Sequence, residues 1–310
     1  MPAPLSPTLR QRAEYGTRVI GLALGMMKSR IAGGLASTRS TSVVPYNDMF
    51  RRDRLPSLEP YRHSLEAFDL YLFDIMNSSR LRGEKVFEYG TLLDAVHDWN
   101  GLRILDIGTG RSTLPQWMTH LGGRVLSLDL PVPAEDRWGG FQERVNSLVA
   151  RRSGAIAGIA GSMRQLPCGR ERFDLVTCFS VVEHLDTNLP DRAYVPYDEQ
   201  CRRLAEVLDE TIRVTAPGGL LYFTSECCDF GRATSDAWRQ SYYYLDGPPL
   251  SGAWPVADVP ALFYDFVAAR GCTLVGGVQF NPADIADPDR WSFRGPFFSG
   301  FSMLARKNAR

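Results

Sequence analysis

The run Arg103-Ile-Leu-Asp-Ile-Gly-Thr-Gly-Arg-Ser112 constrains the fold more than any other stretch of the chain. A short apolar strand ends in an acid and breaks into a glycine turn, and a helix-like segment follows from Ser112 to Leu121. Gly108 and Gly110 let the backbone turn tightly and let a ligand approach without meeting a Cβ. In a doubly wound sheet, such a turn at the C-terminal end of a buried strand is where a nucleotide-like ligand binds. The carboxylate of Asp106 beside the turn is poorly suited to a pyrophosphate and well suited to a cationic ligand.

Downstream, strand and helix patterns alternate. Gly123–Leu128 reads as a second strand ending at Asp129, Phe141–Arg151 as a helix, and Gly154–Ala160 as a third strand ending at Gly161-Ser162. Phe173–Cys178 is a fourth strand, Asp198–Val214 a long helix, Ala216-Pro-Gly-Gly219 a turn, and Leu220–Ser225 a fifth strand. Val259–Arg270 reads as a helix, and Cys272–Gln279 and Phe298–Arg306 as two closing strands. Strands alternating with helices of this length imply an α/β fold, a mostly parallel doubly wound sheet with helices on both faces. The last two strands lie too close for a helical crossover. Upstream, Leu65–Asn77 and Val86–Trp99 have helical apolar spacing.

Composition narrows the function. The 310 residues are 44% hydrophobic and 23% charged, a globular balance. Net charge is +0, which gives no global case for nucleic acid. The six cysteines (Cys168, Cys178, Cys201, Cys227, Cys228 and Cys272) form no Cys-x-x-Cys pair, so neither a zinc site nor a disulfide framework is expected. A reducing interior and a cytoplasmic location follow as the simplest expectation. Residues 1–47 break the charge balance, with Arg10, Arg12, Arg18, Lys28, Arg30 and Arg39 against Glu14. Val19–Met27 falls well short of the roughly 20 apolar residues that span a bilayer. This basic start fits a flexible tail, a helix covering the site, an organelle-targeting segment or a peripheral membrane anchor. The expected organisation is a basic segment and connector over 1–60 and one domain over 61–310. Within that domain, residues 229–256 form a long insertion with Trp238, Tyr242, Tyr243, Tyr244 and Trp254, on the strand C-terminal side where a substrate should lie.

Asp106-Ile-Gly-Thr-Gly110 resembles motif I of the class I S-adenosylmethionine (SAM)-dependent methyltransferases, with Ser112 where that family usually has a third glycine. Gln165-Leu-Pro167 followed by Phe173-Asp-Leu-Val176, then Phe179-Ser-Val-Val-Glu-His-Leu185, resembles the "type 11" group of those enzymes. Pro217-Gly-Gly219 before strand five is a further family mark. These motifs occur in the family's order over roughly residues 100–226. The resemblance leaves out the N-terminal third and the aromatic insertion.

The resemblance implies a seven-stranded sheet with an antiparallel closing pair, lid helices over 61–99, and a SAM-binding core over 100–226. It implies methyl transfer from SAM to an O, N or C nucleophile. By position, Asp106 and the Gly108-Thr109-Gly110 backbone would hold the methionine end, and Asp129 the ribose hydroxyls. Ser162 and Met163 stand where the family contacts adenine; an acid is usual at position 162. Phe179 and Ser180 would border the methionine end. His184 is the candidate general base, since an imidazole titrates near neutrality; Glu183 and His184 can equally brace the helix. Quinone-precursor O-methyltransferases carry Glu-x-x-Glu-His here and can use it to hold a divalent metal. Ser180 replaces the first acid, and a hard cation prefers several oxygen ligands, so no metal is expected. The acceptor expected is a small phenolic, quinone-like or saccharide molecule rather than nucleic acid. Two alternatives stand beside this reading. One is a nicotinamide-dependent oxidoreductase, which shares the first two motifs but expects a last glycine that this turn lacks. The other is a non-catalytic SAM-binding scaffold.

Overall fold

The computed structural model describes residues 45–51, 54–58, 61, 83–109, 114–130, 156–185, 196–229, 253–287 and 298–309. The expected helices over 65–77 and 141–151, the basic segment up to residue 44, Gly110 and most of the aromatic insertion lie outside them. Helix α1 (Gly83–Ala95) precedes strand β1 (Arg103–Ile107) and helix α2 (Leu114–His120). Strands β2 (Arg124–Asp129), β3 (Ile156–Ala160) and β4 (Phe173–Phe179) follow, then helix α3 (Tyr197–Val214) and strand β5 (Thr215–Cys228). The chain ends with β6 (Trp254–Pro255), a π-helical turn (Pro260–Asp265) running into α4 (Phe266–Ala269), then β7 (Cys272–Leu274) and β8 (Phe298–Lys307).

The strands pair in the order β3-β2-β1-β4-β5-β8-β7. The first five are mutually parallel, and β8 runs antiparallel to both β5 and β7. The sheet is therefore the expected α/β architecture with its antiparallel closing end. Order reverses between β1 and β4, so the C-terminal ends of those two strands flank the crevice where doubly wound sheets take ligands. Short β6 pairs with Cys227 and Cys228, continuing along the side of β5 that β4 leaves after Phe179.

Side-chain alternation assigns the two faces. Leu105, Val176, Leu221 and Phe223 pack under α3 and the π-helical turn, with Leu204, Val207, Leu208 and Phe263. Ile104, Leu175 and Tyr222 pack on the other face with Leu92, Leu93, Leu114 and Trp117 of α1 and α2. Helix α3 buries Leu204, Val207, Leu208, Thr211 and Ile212, an i, i+3, i+4 stripe, and carries the Glu199–Arg202 and half-buried Glu199–Arg203 pairs outside that stripe. Arg213 fastens the end of α3 to the loop before β4. It pairs with Glu210 (2.5 and 2.7 Å) and donates to the carbonyls of Cys168 (2.8 Å) and Leu166 (3.0 Å).

Besides one- to three-residue shifts at other ends, three boundaries differ from the sequence reading in ways that shape the sheet and its flanking helix. The Ala216–Gly219 turn is a bulge inside β5: the three β4 residues from Phe173 to Leu175 lie opposite the six from Thr215 to Leu220, and Gly218 takes φ +77°. Strand β7 stops at Leu274, because Gly276 and Gly277 turn the chain away at φ +74°. Helix α1 ends at Ala95 rather than Trp99.

Residues 47–50 pair with the first half of β8, on the edge that β7 covers further along that strand. Phe50 N–H donates to Gly300 O and Ser302 N–H to Asp48 O, both at 2.9 Å, beside a Met49–Phe301 bridge. Buried Asn47 donates to Val275 O and Gly277 O and accepts from Leu304 N–H. All six cysteines are free thiols. Among the described residues no helix is long and apolar enough to cross a membrane.

Candidate functional site

The turn after β1 is built by a close approach of three segments. Gly108 has φ +70°, and a Cβ there would lie 2.5 Å from both methyl groups of Val181. Its N–H donates to Leu128 O at 2.7 Å, which ties the turn to the end of β2. Asp106 stands one register row below the end of β1, opposite Ser127 on β2 and Thr177 on β4. Thr177 Oγ1 donates to its Oδ1 (2.7 Å) and Thr109 Oγ1 to its Oδ2 (2.8 Å). Asp106 is almost fully buried. Burial pushes its carboxyl up from 3.8 to about 6; the two hydroxyls pull it down and the charge of Asp129 adds to the rise. Asp106 thus joins strand, turn and neighbouring strand, with each oxygen already held by a threonine.

Asp129 closes β2, half-buried, and its Oδ1 accepts from Leu130 N–H at 2.7 Å. Its carbonyl accepts from Gly161 N–H at 2.8 Å, so the ends of β2 and β3 are locked together. Beyond β3, Ser162 and Gln165 bridge across a tight turn, Ser162 Oγ accepts from Arg164 N–H (3.2 Å), and Met163 packs against the core beneath. Ser162 is exposed at the edge of this turn.

The end of β4 forms the other wall. The Phe179 ring meets Tyr89 and Tyr222 edge-on, with centroids 5.3 and 5.4 Å away. Ser180 is one of two non-glycine residues with positive φ among those described, at +49°. Such a backbone is strained and persists only where surroundings over-determine it. Here Ser180 N–H donates to Thr224 O (3.0 Å) and Oγ1 (3.2 Å), and its hydroxyl donates to Glu88 Oε1 (2.5 Å). Glu88 is buried on α1 and also takes Lys85 Nζ at 2.6 Å. Tyr222 Oη donates to the Glu88 carbonyl at 2.9 Å, which pins α1 over the strand ends.

Val182–His184 form a single 3-10 turn after Ser180. Glu183 is buried and its Oε2 accepts from Ser225 Oγ at 2.7 Å, while its Oε1 has no hydrogen-bond partner among the described residues. Burial drives the Glu183 carboxyl well above the usual carboxylate range. The Ser225 hydroxyl and the residue's own backbone N–H act against that rise, Glu88 adds to it, and Lys85 opposes it most weakly. His184 is half-buried, and its backbone N–H closes the turn onto Val181 O at 2.8 Å.

The structure therefore brings Asp106, Gly108, Thr109, Asp129, Phe179 and Ser180 to one edge of the sheet, with Ser162 and Met163 at the end of the adjacent strand. Sequence reasoning missed four participants: Thr177, Ser225, Lys85 and Glu88. Thr177 carried a readable signal, a hydroxyl inside an apolar strand in register with Asp106. Glu88 carried none, since it lies 92 positions from the serine it holds. Among the described residues no group of three or more His, Cys, Asp or Glu side chains is arranged as a metal site.

Residues 105–223 match a family model described as a methyltransferase domain. A ubiquinone biosynthesis O-methyltransferase from Cereibacter sphaeroides is 29% identical over 206 residues, covering 63% of this chain and 70% of that protein. Among solved structures, a SAM-dependent methyltransferase from Mesorhizobium loti aligns with a TM-score of 0.43 and 17% identity, over 71% of this chain and 97% of that one. An arsenic(III) SAM methyltransferase from Chlamydomonas reinhardtii aligns with a TM-score of 0.40 and 22% identity, over 68% and 64%.

Proposed function

We infer what this chain does from one premise: it is a SAM-dependent methyltransferase, carrying a methyltransferase domain within residues 105–223. SAM is the methyl donor, and the reaction is an in-line displacement at its sulfonium methyl group. The protein's main task in such a step is to hold donor and nucleophile in line, which can lower the barrier by ~7–11 kcal/mol when alignment is good.

The reading of the pocket rests on the Gly108 turn, a left-handed glycine pressed against Val181 at the point where strand order reverses. The missing Cβ leaves the Gly108-Thr109 backbone accessible to the methionine part of SAM, with Gly110 the next position of the same motif. Asp106 contributes negative charge beneath that part and stiffens the turn through Thr109 and Thr177. The half-buried carboxylate of Asp129 accepts hydrogen bonds from the ribose hydroxyls. Met163 offers a flat apolar contact to adenine, and Ser162 a hydroxyl at its edge. Phe179 and Ser180 border the reacting methyl group, with His184 behind them as a candidate base.

The acceptor in this reading is a small molecule with a hydroxyl nucleophile and an aromatic or quinone-like body. Two observations support it: the Tyr89–Phe179–Tyr222 ring cluster beside Ser180, and the relative at 29% identity that is named for O-methylation in ubiquinone biosynthesis. The test is incubation with methyl-labelled SAM and a set of catechols, quinols, amines and saccharides, read by mass spectrometry. Label on a phenolic oxygen supports the reading. Label confined to amines or sugars overturns the acceptor class.

A further inference from the structure

We propose that Glu88 of α1 is a positioning residue of the SAM site: acting through Ser180, it fixes the backbone that lays Val181 on the glycine turn. This role rests on the reading above, in which that turn and the loop after β4 border the methionine end of SAM. Glu88 lies upstream of the residues 105–223 that match the methyltransferase domain, so the shape of the site depends on a helix outside that match.

Ser180 carries the strained backbone of this loop, at φ +49°. An L residue stays in that region only where its surroundings over-determine it. Thr224 on β5 takes the Ser180 N–H. The Ser180 hydroxyl donates to Glu88 Oε1 at 2.5 Å and accepts from Lys85 Nζ at 3.4 Å, so both of its partners come from α1. The Ser180 backbone sets the direction in which the chain leaves β4. The next residue, Val181, places two methyl groups 2.5 Å from where a Gly108 Cβ would stand. Loop and turn therefore meet in one contact, and a Ser180 relaxed to an ordinary φ would carry Val181 away from it.

Glu88 can anchor Ser180 because α1 is fastened on two sides. Toward the sheet, Tyr222 Oη donates to Glu88 O at 2.9 Å, and Tyr89 meets the Phe179 ring edge-on at 5.3 Å. Toward the segment before it, Tyr46 and Tyr61 both donate to Asp94, at 3.2 and 2.9 Å. Phe87 stacks on Phe50 with centroids 5.4 Å apart, and Leu58 lies 3.4 Å from where a Gly90 Cβ would stand. Glu88 itself is buried, with one oxygen on Ser180 and the other on Lys85. An apolar side chain would pack α1 in the same place without the cost of burying a charge. What the carboxylate adds is a short, directed, charge-assisted hold on one hydroxyl 92 positions away.

The experiment measures SAM affinity by calorimetry on the full chain, for wild type, E88A, E88Q, S180A, S180G and the double variant E88A/S180G. Urea unfolding reports the stability of each. Failure of the wild type to bind SAM refutes the proposed function itself, a result distinct from any below. E88A and S180A each remove the hold and leave an L residue at φ +49°. Each is expected to weaken SAM binding about tenfold, the equivalent of one hydrogen bond to a charged group. E88Q keeps an oxygen that accepts from Ser180 and should recover most of that loss. Glycine takes a positive φ without strain, so S180G should bind SAM more tightly than S180A. Adding E88A to S180G should then cost less than about threefold, because the backbone no longer needs the hold. A defect in helix packing alone would weaken SAM by the same factor in both backgrounds. The S180A–S180G comparison leaves α1 untouched and decides the question even where E88A fails to fold. Equal E88A losses in the two backgrounds, E88A binding SAM as wild type does, or S180G binding no better than S180A overturns the proposal.

Discussion

Substituting Gly108 by alanine tests the turn at the heart of the site. Two costs add. At φ +70° an L side chain sits in the left-handed region, worth ~1–2 kcal/mol. The new Cβ would also lie 2.5 Å from Val181 Cγ1 and Cγ2, far inside the ~3.5–4.0 Å optimum for carbon pairs, and overpacking of that kind costs ~1–3 kcal/mol. Reduced freedom in the unfolded chain returns ~0.4–1 kcal/mol. The net expectation is ~2–4 kcal/mol of lost stability, measured by urea unfolding, and a turn displaced enough to weaken SAM binding at least about tenfold. The steric part is separable, because V181A removes both offending methyl groups and leaves Val181 Cβ at 3.0 Å from the new atom. In a double-mutant cycle, G108A/V181A should therefore be less destabilised than the sum of the singles by ~1–2 kcal/mol. Strict additivity, or a G108A protein within ~0.5 kcal/mol of wild type, would refute the claim that Gly108 is pressed against the loop after β4.

Asp106 binds a proton more tightly in the folded chain, near pH 6 against 3.8 when exposed, so it makes stability fall as pH rises through that window. D106N should flatten that decline by up to ~3 kcal/mol in urea midpoints collected between those pH values; an unchanged slope would show the carboxyl is not buried as described. R213A removes the clasp on Glu210 and on the Leu166 and Cys168 carbonyls and should cost ~1–3 kcal/mol. Hydrogen exchange in that variant should rise around 162–170 before it rises in β1. N47A leaves Leu304 N–H and two carbonyls unpaired and should cost ~2–4 kcal/mol, with faster exchange at Phe50 and Ser302 as its local signature.

Much of this architecture was legible because it is written in local periodicity. The apolar strands around Ile104 and Leu175 and the i, i+4 stripe of α3 declare themselves within a few residues. The glycine turn is local for the same reason: a positive φ strongly favours glycine at that one position. For the closing pair, the short spacing before β8 excludes a helical crossover, and the family resemblance implies the antiparallel arrangement. What stayed hidden depends on residues far apart in sequence. Ser180 stands where quinone-precursor O-methyltransferases carry an acid, and only the fold shows Glu88 of α1 hydrogen-bonded to that serine. Ser225 looks like an ordinary strand residue until the turn after β4 lays Glu183 on it. Proline and glycine at Ala216–Gly219 predict a turn between elements; pairing with β4 on both sides absorbs it into one strand.

The central claim is that this sheet edge holds SAM, and equilibrium titration of the intact chain with SAM tests it most directly. The account predicts saturable binding at one site per chain, weakened by D129A through loss of the ribose contact, and no binding of NAD under the same conditions. A folded protein that ignores SAM, or one that takes NAD in its place, would contradict it.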